Sequence, residues 1–174
     1  GYGYSIFELA QMILEQNLKA PRLKAVITTS EKVTPFMRST IEEAFSTKVY
    51  EEYGAVEDVL YVCECEYGNM HINPDAGILE VVDENYQPVE PGQEGEVLGT
   101  GFIRFAQPMI RYRIGDRAII SPDPCPCGRQ MPVLQEVIGR LEDTVYGPDG
   151  RRMVRFHGIF TDQPNIREGQ VIQE

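Results

Sequence analysis

The segment at 108–129 carries side chains whose types and spacing suit ligand chemistry. Arg111 and Arg113 are two residues apart, so an extended strand would place both guanidinium groups on one face. Gly115-Asp116 then closes the predicted strand and sets a carboxylate where a loop can offer it to a ligand. Alternating arginines and Gly-Asp turns are also common on solvated surfaces, so these short patterns need support from the rest of the chain.

Four cysteines form two Cys-x-Cys pairs, Cys63 with Cys65 and Cys125 with Cys127. Residues two apart on a strand point the same way, so two such pairs brought together would offer four thiolates to a tetrahedral zinc ion. His71 is a spare ligand should one cysteine point away. Reduced buried thiols are the alternative, and two disulfides would be expected only in an exported protein.

The overall composition limits the classes of partner. The chain has 174 residues, 42% of them hydrophobic, and a formal net charge of -11. This length suits one medium domain or slightly more, and no apolar run is long enough to span a bilayer. The acidic balance argues against nucleic acid or an anionic membrane as a partner, although a few arginines could hold a nucleotide locally. With no secretory signal at the start, we expect a cytoplasmic protein.

Two helices are predicted in the first part of the chain. Ser5 and Glu8 fit a capping box, and the apolar residues that follow have the helical period. A second helix is predicted to begin at Thr34-Pro35, with threonine as the N-cap and proline at the first helical position. Its buried stripe is predicted to consist of Met37, Ile41, Ala44 and Phe45.

Strands are predicted on both sides of the second helix, at 23–28 and 48–53. A strand, a helix and a strand in this order form a parallel α/β unit, whose ligands bind at the carboxyl ends of the strands. The loops at 29–31 and 54–57 follow those ends, so we expect them to be neighbours at the site.

From Val59 onward the pattern changes to short apolar strands separated by turn residues. We expect an antiparallel sheet or partial barrel attached to the α/β unit, which gives a mixed α/β fold. The predicted strands are at 59–65, 70–73, 77–83, 95–100 and 110–114.

Several segments resemble the adenylate-forming enzymes, most closely the branch that holds the phenylacetate-CoA ligases and the ligase-like proteins of capsular polysaccharide biosynthesis. No single segment is specific to this family, but the occurrence of all of them in the family's order over most of the chain is specific. The matching segments are Ser30-Glu31, YEEYGAVE at 50–57, Gly95-Glu96, YRIGD at 112–116, CGR at 127–129 and GRLED at 139–143.

In that family, ATP and a carboxylic acid give an acyl-adenylate and pyrophosphate, and coenzyme A then displaces AMP. The resemblance therefore implies an acyl- or aryl-CoA ligase-like enzyme that binds ATP, AMP, Mg²⁺, coenzyme A and a small carboxylic acid. Two alternatives stay open: an adenylating enzyme that does not use coenzyme A, and a non-catalytic, zinc-stabilised binding or assembly module on the same scaffold. The sequence defines neither the acid nor the oligomeric state.

The resemblance also implies roles for individual residues. Tyr53 resembles the aromatic residue that packs against adenine, and Asp116 the carboxylate that accepts both ribose hydroxyls. Glu57 resembles the carboxylate that holds Mg²⁺, and Arg140 the arginine that contacts the nucleotide, so these two are the candidate catalytic residues. Glu142 stands at the hinge about which a lid rotates. The implied cofactor-binding positions also include Ser30, Glu31, Gly54, Ala55 and Val56.

The resemblance divides the chain at residue 140. Residues 1–140 correspond to the C-terminal portion of the large AMP-binding domain, with the α/β unit at 1–58 and the antiparallel part at 59–140. Residues 141–174 correspond to the start of a small α+β lid. Val56 departs from the family, which usually has a serine or threonine there to donate to phosphate. The family's Ser/Thr/Gly-rich phosphate loop precedes the matched segments, so we expect a C-terminal piece that is not a competent ligase by itself.

Overall fold

The computed structural model describes residues 1–140, 145–148 and 152–153. Over these residues the chain forms a mixed α/β fold in which two helices accompany an eight-stranded mixed sheet, which confirms the predicted fold class. The helices are α1 Gly3–Glu15 and α2 Pro35–Phe45. The strands of the large sheet are β1 Val26–Thr28, β2 Val49–Gly54, β3 Tyr61–Glu64, β4 Met70–Ile72, β5 Gly77–Val82, β6 Glu94–Gly101, β7 Tyr112–Ile120 and β8 Val133–Arg140. A separate antiparallel pair consists of β9 Val145–Tyr146 and β10 Arg152–Met153.

The predicted lid at 141–174 lies outside the described residues, apart from the β9–β10 pair and the turn after β9, and so does its hinge residue Glu142. Among the described helices, none is both long enough and apolar enough to cross a membrane. The cytoplasmic location stays a prediction.

The predicted parallel α/β unit is present. β1 and β2 pair in parallel, with Val26 opposite Val49. The second helix begins as predicted, because the Thr34 side chain accepts a hydrogen bond from the Met37 N–H at 3.2 Å and proline follows the cap. Both helices and both strands contribute to one hydrophobic cluster, whose buried members are Phe7, Ala10, Ile13, Val26, Val33, Met37, Ile41, Ala44, Phe45 and Val49.

The capping box predicted at Ser5 is wrong. The first helix begins at Gly3, and its N-cap, Tyr2, makes no side-chain capping hydrogen bond. A distant residue supplies the cap, because Glu31 Oε2 accepts from the Tyr4 N–H at 2.8 Å. A carboxylate at this position satisfies a free N–H group and interacts favourably with the helix dipole. The loop after β1 is thereby attached to the start of α1.

Arg38 on α2 joins the helix to two strands. Its guanidinium donates to Glu51 on β2 at 2.8 Å and to Glu64 on β3 at 2.9 Å. It also donates to the Val49 carbonyl at 2.6 Å. Because Glu64 Oε2 accepts from the Glu51 N–H as well, at 2.8 Å, the ion pairs and the backbone of the sheet form one network.

The remaining strands extend the same sheet, whose order is β1-β2-β3-β4-β8-β7-β6-β5. β2 belongs to both parts, because it pairs in parallel with β1 and antiparallel with β3. The sequence pattern does not predict β8, which lies between β4 and β7. This part of the sheet has its own hydrophobic cluster, whose buried members are Val59, Leu60, Val62, Ile72, Leu79, Val81, Val97, Ala118 and Leu134.

The prediction that Gly115-Asp116 closes a strand is wrong. Gly115 has a φ of 85°, which glycine adopts without strain, and β7 continues beyond it to Ile120. Asp116 is therefore paired within the sheet, opposite Arg140 on β8. Its carboxylate is presented from a strand rather than from a loop.

The prediction that Arg111 and Arg113 share one face of a strand is wrong. Arg111 precedes β7 and has a φ of 50°, and its Nε donates to Glu80 at 3.1 Å. Arg113 lies within β7 and donates through Nε and Nη2 to Glu96, at 2.7 and 3.0 Å. Each arginine is thus paired with its own carboxylate, and the two do not converge on a common ligand.

The segment at 58–60 passes very close to strands β5 and β6. A Cβ atom placed on Gly77 would lie 2.5 Å from the carbonyl oxygen of Thr100 and closer still to that of Val59. Real Cβ atoms do not approach backbone this closely, so the crossing requires glycine. The close approach fixes the path of the chain directly after the predicted site loop at 54–57.

We expect Gly77→Ala to lower the free energy of unfolding by about 3 kcal/mol or more, because backbone atoms on two sides would have to move. Gly54→Ala is the matched control, since its Cβ would lie 3.4 Å from the Leu60 carbonyl oxygen, which is an ordinary contact. The control should change stability by less than about 1 kcal/mol. Urea unfolding measures both variants, and equal stabilities would contradict the crossing.

Candidate functional site

A cavity of about 510 Å³ lies at the carboxyl ends of β1 and β2, where the α/β topology predicts a ligand site. The loops after the two strands are neighbours there, as expected from their parallel pairing. Five predicted cofactor-binding residues line the cavity, namely Ser30, Tyr53, Gly54, Ala55 and Val56. The structure thus brings these residues together, and their cofactor-binding roles stay predictions.

Tyr53 and Asp116 meet beside this cavity although 63 residues separate them in sequence. The Tyr53 hydroxyl donates to Asp116 Oδ2 at 2.7 Å. Burial, together with the charge of Asp116 and the hydrogen bond to it, raises the pKa of Tyr53, so the phenol keeps its proton. The hydrogen bond orients a carboxylate that still has acceptor positions for other hydroxyl groups.

Glu57 is held in a similar way by a second tyrosine. The Tyr112 hydroxyl donates to Glu57 Oε1 at 2.9 Å, and this hydrogen bond and the charge of Glu57 raise the pKa of Tyr112. The glutamate is half-buried. Since a carboxylate has two oxygens, it can accept from tyrosine and also offer a hard ligand to Mg²⁺. The metal-binding role of Glu57 stays a prediction.

Arg140 brings positive charge to the same region. It ends β8 opposite Asp116, and its Nη2 donates to the Ile114 carbonyl at 3.2 Å. Burial raises the pKa of Tyr53, and the positive charge of Arg140 lowers it. For Tyr112, the hydrogen bond to Glu57 raises the pKa, and the charge of Arg140 again lowers it. The two candidate catalytic residues, Glu57 and Arg140, thus lie around the same pair of tyrosines.

The structure does not bring every predicted site residue into the cavity wall. Glu31 directs its carboxylate to the start of α1, while the preceding Ser30 has a φ of 70° and lines the cavity. Glu57, Asp116 and Arg140 do not line the cavity themselves. Asp116 accepts from Tyr53, which does line it, and Glu57 accepts from Tyr112. The residues predicted from the resemblance therefore form a cluster that extends from the cavity along β7 and β8.

Sequence reasoning missed Arg104, which holds the loop at the cavity. Its Nε donates to Asp58 at 2.8 Å and its Nη2 to the Val56 carbonyl at 2.9 Å. The Val56 side chain is 89% exposed, so the loop is fixed through its backbone and not through this side chain. Arg104 lies 46 residues from Asp58, and no local pattern in the sequence signals the pairing.

The cysteines form a second cluster, but not with the predicted set of ligands. Cys65, His71, Cys125 and Cys127 place one ligand atom each within 4.8 Å of one another. Cys63 is outside this group, because Cys65 follows the end of β3 and the alternation expected for a strand fails there. Burial opposes ionisation of Cys127, but hydrogen bonds from the Arg129 N–H and from the Cys125 and Arg129 side chains lower its pKa to about 6. All four cysteines are free thiols in the structure.

No family model matches the chain. Comparisons with individual proteins do find relatives, and these agree with the architecture. Protein CapK from Staphylococcus aureus is 28% identical over 145 residues, which are 82% of this chain and 31% of that protein. A phenylacetate-coenzyme A ligase from Thermus thermophilus is 29% identical over 126 residues, which are 70% of this chain and 28% of that protein.

Two solved structures of 2-hydroxyisobutyryl-CoA ligase are also similar. The postadenylation state in complex with R3-HIB-AMP has a TM-score of 0.75 and 30% identity, over 88% of this chain and 34% of the ligase. An open conformation in complex with 2-HIB-AMP and CoA has a TM-score of 0.71 and 30% identity, over 88% of this chain and 38% of the ligase. The chain therefore spans about a third of the length of the relatives that it matches.

The mixed sheet, the cavity at the strand ends and these similarities together define an adenylate-forming fold. The chain is homologous to CapK and phenylacetate-CoA ligase, and its structural neighbours are acyl-CoA ligases of the adenylate-forming superfamily, which match most of its length. This confirms the resemblance found in the sequence.

Proposed function

We propose that the chain carries the adenylate-binding part of an acyl- or aryl-CoA ligase. The hydrogen bond between Tyr53 and Asp116 carries this proposal, because it holds an aromatic ring and an oriented carboxylate beside one cavity. An aromatic face suits a purine base, and a carboxylate suits the two neighbouring hydroxyls of ribose. The solved ligase at 30% identity, which holds AMP adducts, supports this assignment.

In the proposed reaction, a carboxylate oxygen of the acid attacks the α-phosphorus of ATP and pyrophosphate leaves. The sulfur of coenzyme A then attacks the acyl carbon, and AMP leaves. Glu57 would hold Mg²⁺, which supplies positive charge to the phosphates. Arg140 adds a fixed positive charge at the same cluster. As part of the proposal, residues 1–140 bind the nucleotide and residues 141–174 begin the lid, with Glu142 at the hinge.

Binding of AMP to the chain itself tests this proposal directly. At 19.7 kDa the chain suits titration by two-dimensional NMR. We expect AMP to shift the amide resonances of residues 53–57, Asp116 and Arg140 in a saturable manner, and GMP to shift them much less. Equal, scattered shifts with both nucleotides, or no shift with either, would overturn the assignment of this site.

Val56→Thr should raise the rate of ATP–pyrophosphate exchange about 10-fold or more. Threonine has nearly the shape of valine and adds a hydroxyl, and a hydrogen bond to a charged oxygen contributes about 1.5–3 kcal/mol. Because the Val56 side chain is 89% exposed, the change should leave stability nearly unaltered. The exchange is measured in the longest protein that carries this sequence, over a panel of aryl and aliphatic acids.

Val56→Ala is the control for this experiment, since it also changes the valine side chain but adds no hydrogen-bond donor. If Val56→Thr and Val56→Ala exchange at the same rate, the missing hydroxyl does not limit adenylation.

Val56, which has no hydroxyl to donate to phosphate, also favours a second candidate, a non-catalytic, zinc-stabilised binding or assembly module on the same scaffold. This module would bind AMP in the NMR titration but show no pyrophosphate exchange, either as the natural sequence or as Val56→Thr. An adenylating enzyme that does not use coenzyme A would instead show exchange and release no thioester. The two assays together therefore separate the three functions.

A further inference from the structure

We propose that Cys65, His71, Cys125 and Cys127 bind a structural zinc ion that links the turn after β3 to the loop between β7 and β8. The four residues lie within one small cluster, and their ligand atoms are within 4.8 Å of one another. Three thiolates and one imidazole are a common ligand set for structural zinc. This proposal is independent of the proposed ligase activity.

The distances between the ligand atoms fit one tetrahedral ion. Two sulfur atoms bound to the same zinc lie roughly 3.8 Å apart, and a sulfur and a nitrogen roughly 3.6 Å apart. Cys65 Sγ and Cys125 Sγ are separated by 3.7 Å, and Cys127 Sγ and His71 Nε2 by 3.3 Å. The side chains are therefore already arranged at about the spacing that the ion requires.

The imidazole of His71 is oriented for metal binding. Its Nδ1 lies 3.3 Å from the Met131 carbonyl oxygen, and a proton on Nδ1 can donate to that oxygen. With this proton on Nδ1, the lone pair of Nε2 points at the sulfur cluster. A histidine that binds a metal through one nitrogen usually donates from the other in this way. The residue is only 1% exposed, so this orientation is fixed by burial as well.

The two turns that carry the cysteines repeat one backbone pattern. In the first, the Gly68 N–H donates to the Cys65 carbonyl at 2.9 Å, and in the second the Gly128 N–H donates to the Cys125 carbonyl at 3.2 Å. Both glycines have positive φ, 79° and 81°, which closes each turn tightly. Two Cys-x-x-Gly turns thus face each other across the cluster.

Hydrogen-bond donors surround the sulfur atoms. In each turn, the sulfur of the first cysteine accepts a hydrogen bond from the backbone N–H two residues later. Tyr67 N–H donates to Cys65 at 3.4 Å, and Cys127 N–H donates to Cys125 at 3.5 Å. Asn69 Nδ2 also donates to Cys125, at 3.3 Å. Donors aimed at sulfur favour the thiolate form, which is the form that binds metal.

The position of the cluster indicates a structural role for the ion. Four protein ligands fill the tetrahedral coordination of zinc and leave no position for a substrate. β8 has eight residues, so its start near His71 and its end at Arg140 are roughly 23 Å apart. The ion would instead fix the long loop between β7 and β8, whose rim is also joined by an ion pair of 2.7 Å between Arg129 and Glu66.

Metal analysis of the full chain tests the site. We expect about one zinc ion per chain after purification without a metal-binding tag, and an absorption spectrum typical of tetrahedral thiolate coordination after exchange for Co²⁺. Cys127→Ser and His71→Ala should each weaken zinc binding by at least about 100-fold. Cys63→Ser is the matched control and should keep the zinc and the cobalt spectrum unchanged.

Thiol reactivity provides a second readout that needs no substitution in the cluster. Of the four cysteines, only Cys63 should react with a thiol reagent in the metal-bound chain, and all four should react after chelation. Four equally reactive thiols before chelation, with zinc well below one ion per chain, would overturn the proposal. Loss of zinc in Cys63→Ser but not in His71→Ala would overturn the ligand assignment.

Discussion

Replacing Asp116 with asparagine is expected to weaken AMP binding by about 100-fold. The proposed site uses both carboxylate oxygens as acceptors for ribose hydroxyls, and hydrogen bonds to a charged group contribute about 1.5–3 kcal/mol each. An amide keeps one acceptor and turns an N–H group towards a hydroxyl. The substitution removes charge with little change in shape, and the amide oxygen can still accept from Tyr53, so the fold should persist. Calorimetric titration of AMP into the chain measures the effect.

Tyr53→Phe is the control that separates the carboxylate from its positioning. It keeps the aromatic ring but removes the hydroxyl that donates to Asp116 at 2.7 Å. We expect a loss of AMP affinity of about 5- to 10-fold, because Asp116 keeps both acceptor oxygens and only its positioning, worth about 1 kcal/mol, is lost. If Asp116→Asn binds AMP as tightly as the natural sequence does, the ribose assignment is wrong. A larger loss in Tyr53→Phe than in Asp116→Asn would move the main role to the tyrosine.

Replacing Glu57 with glutamine is expected to lower Mg²⁺-dependent adenylation by about 100- to 1,000-fold. An amide is a weak ligand for Mg²⁺ because it lacks the negative charge that the hard cation prefers. The amide oxygen can still accept from the Tyr112 hydroxyl, so the loop should keep its position. ATP–pyrophosphate exchange, measured against Mg²⁺ concentration in the longest protein that carries this sequence, records both the rate and the metal dependence.

Tyr112→Phe serves as the control for Glu57→Gln. It leaves the carboxylate in place and removes only its hydrogen-bond donor, so exchange should fall by less than about 10-fold at saturating Mg²⁺. An unchanged Mg²⁺ dependence in Glu57→Gln would assign the metal to another ligand. AMP binding without metal should be nearly unaffected by Glu57→Gln, which distinguishes this residue from Asp116.

The parts of the fold that the sequence predicts are those with local signals. Thr34 and Pro35 mark the start of α2 because capping and the fixed φ of proline act within a few residues. The loops after β1 and β2 are predicted to be neighbours because a parallel pair has one carboxyl edge. The site residues, in contrast, come from the family resemblance, since the contact of Tyr53 with Asp116 spans 63 residues.

The errors of the sequence predictions share a physical cause. α1 is capped by Glu31, a residue that follows the next strand, and no pattern near Ser5 could show this. β8 contains no clear alternation of apolar and polar residues, because several of its side chains are half-buried on both faces. Cys65 leaves its strand before the alternation rule can apply, so His71 takes the place of Cys63 in the cluster. For α1 and for the cysteines, a distant partner or a shortened element overrides the local pattern.

The central position of β8 has a consequence for how the chain is made. Synthesis from the N-terminus delivers β1–β4 and then β5–β7 as two pieces, and the facing edges of β4 and β7 have no partner until residues 133–140 leave the ribosome. Such open edges invite pairing with other chains. We therefore expect the nascent chain to expose both of these edges just before β8 appears, and a pause of the ribosome in that interval to favour aggregation.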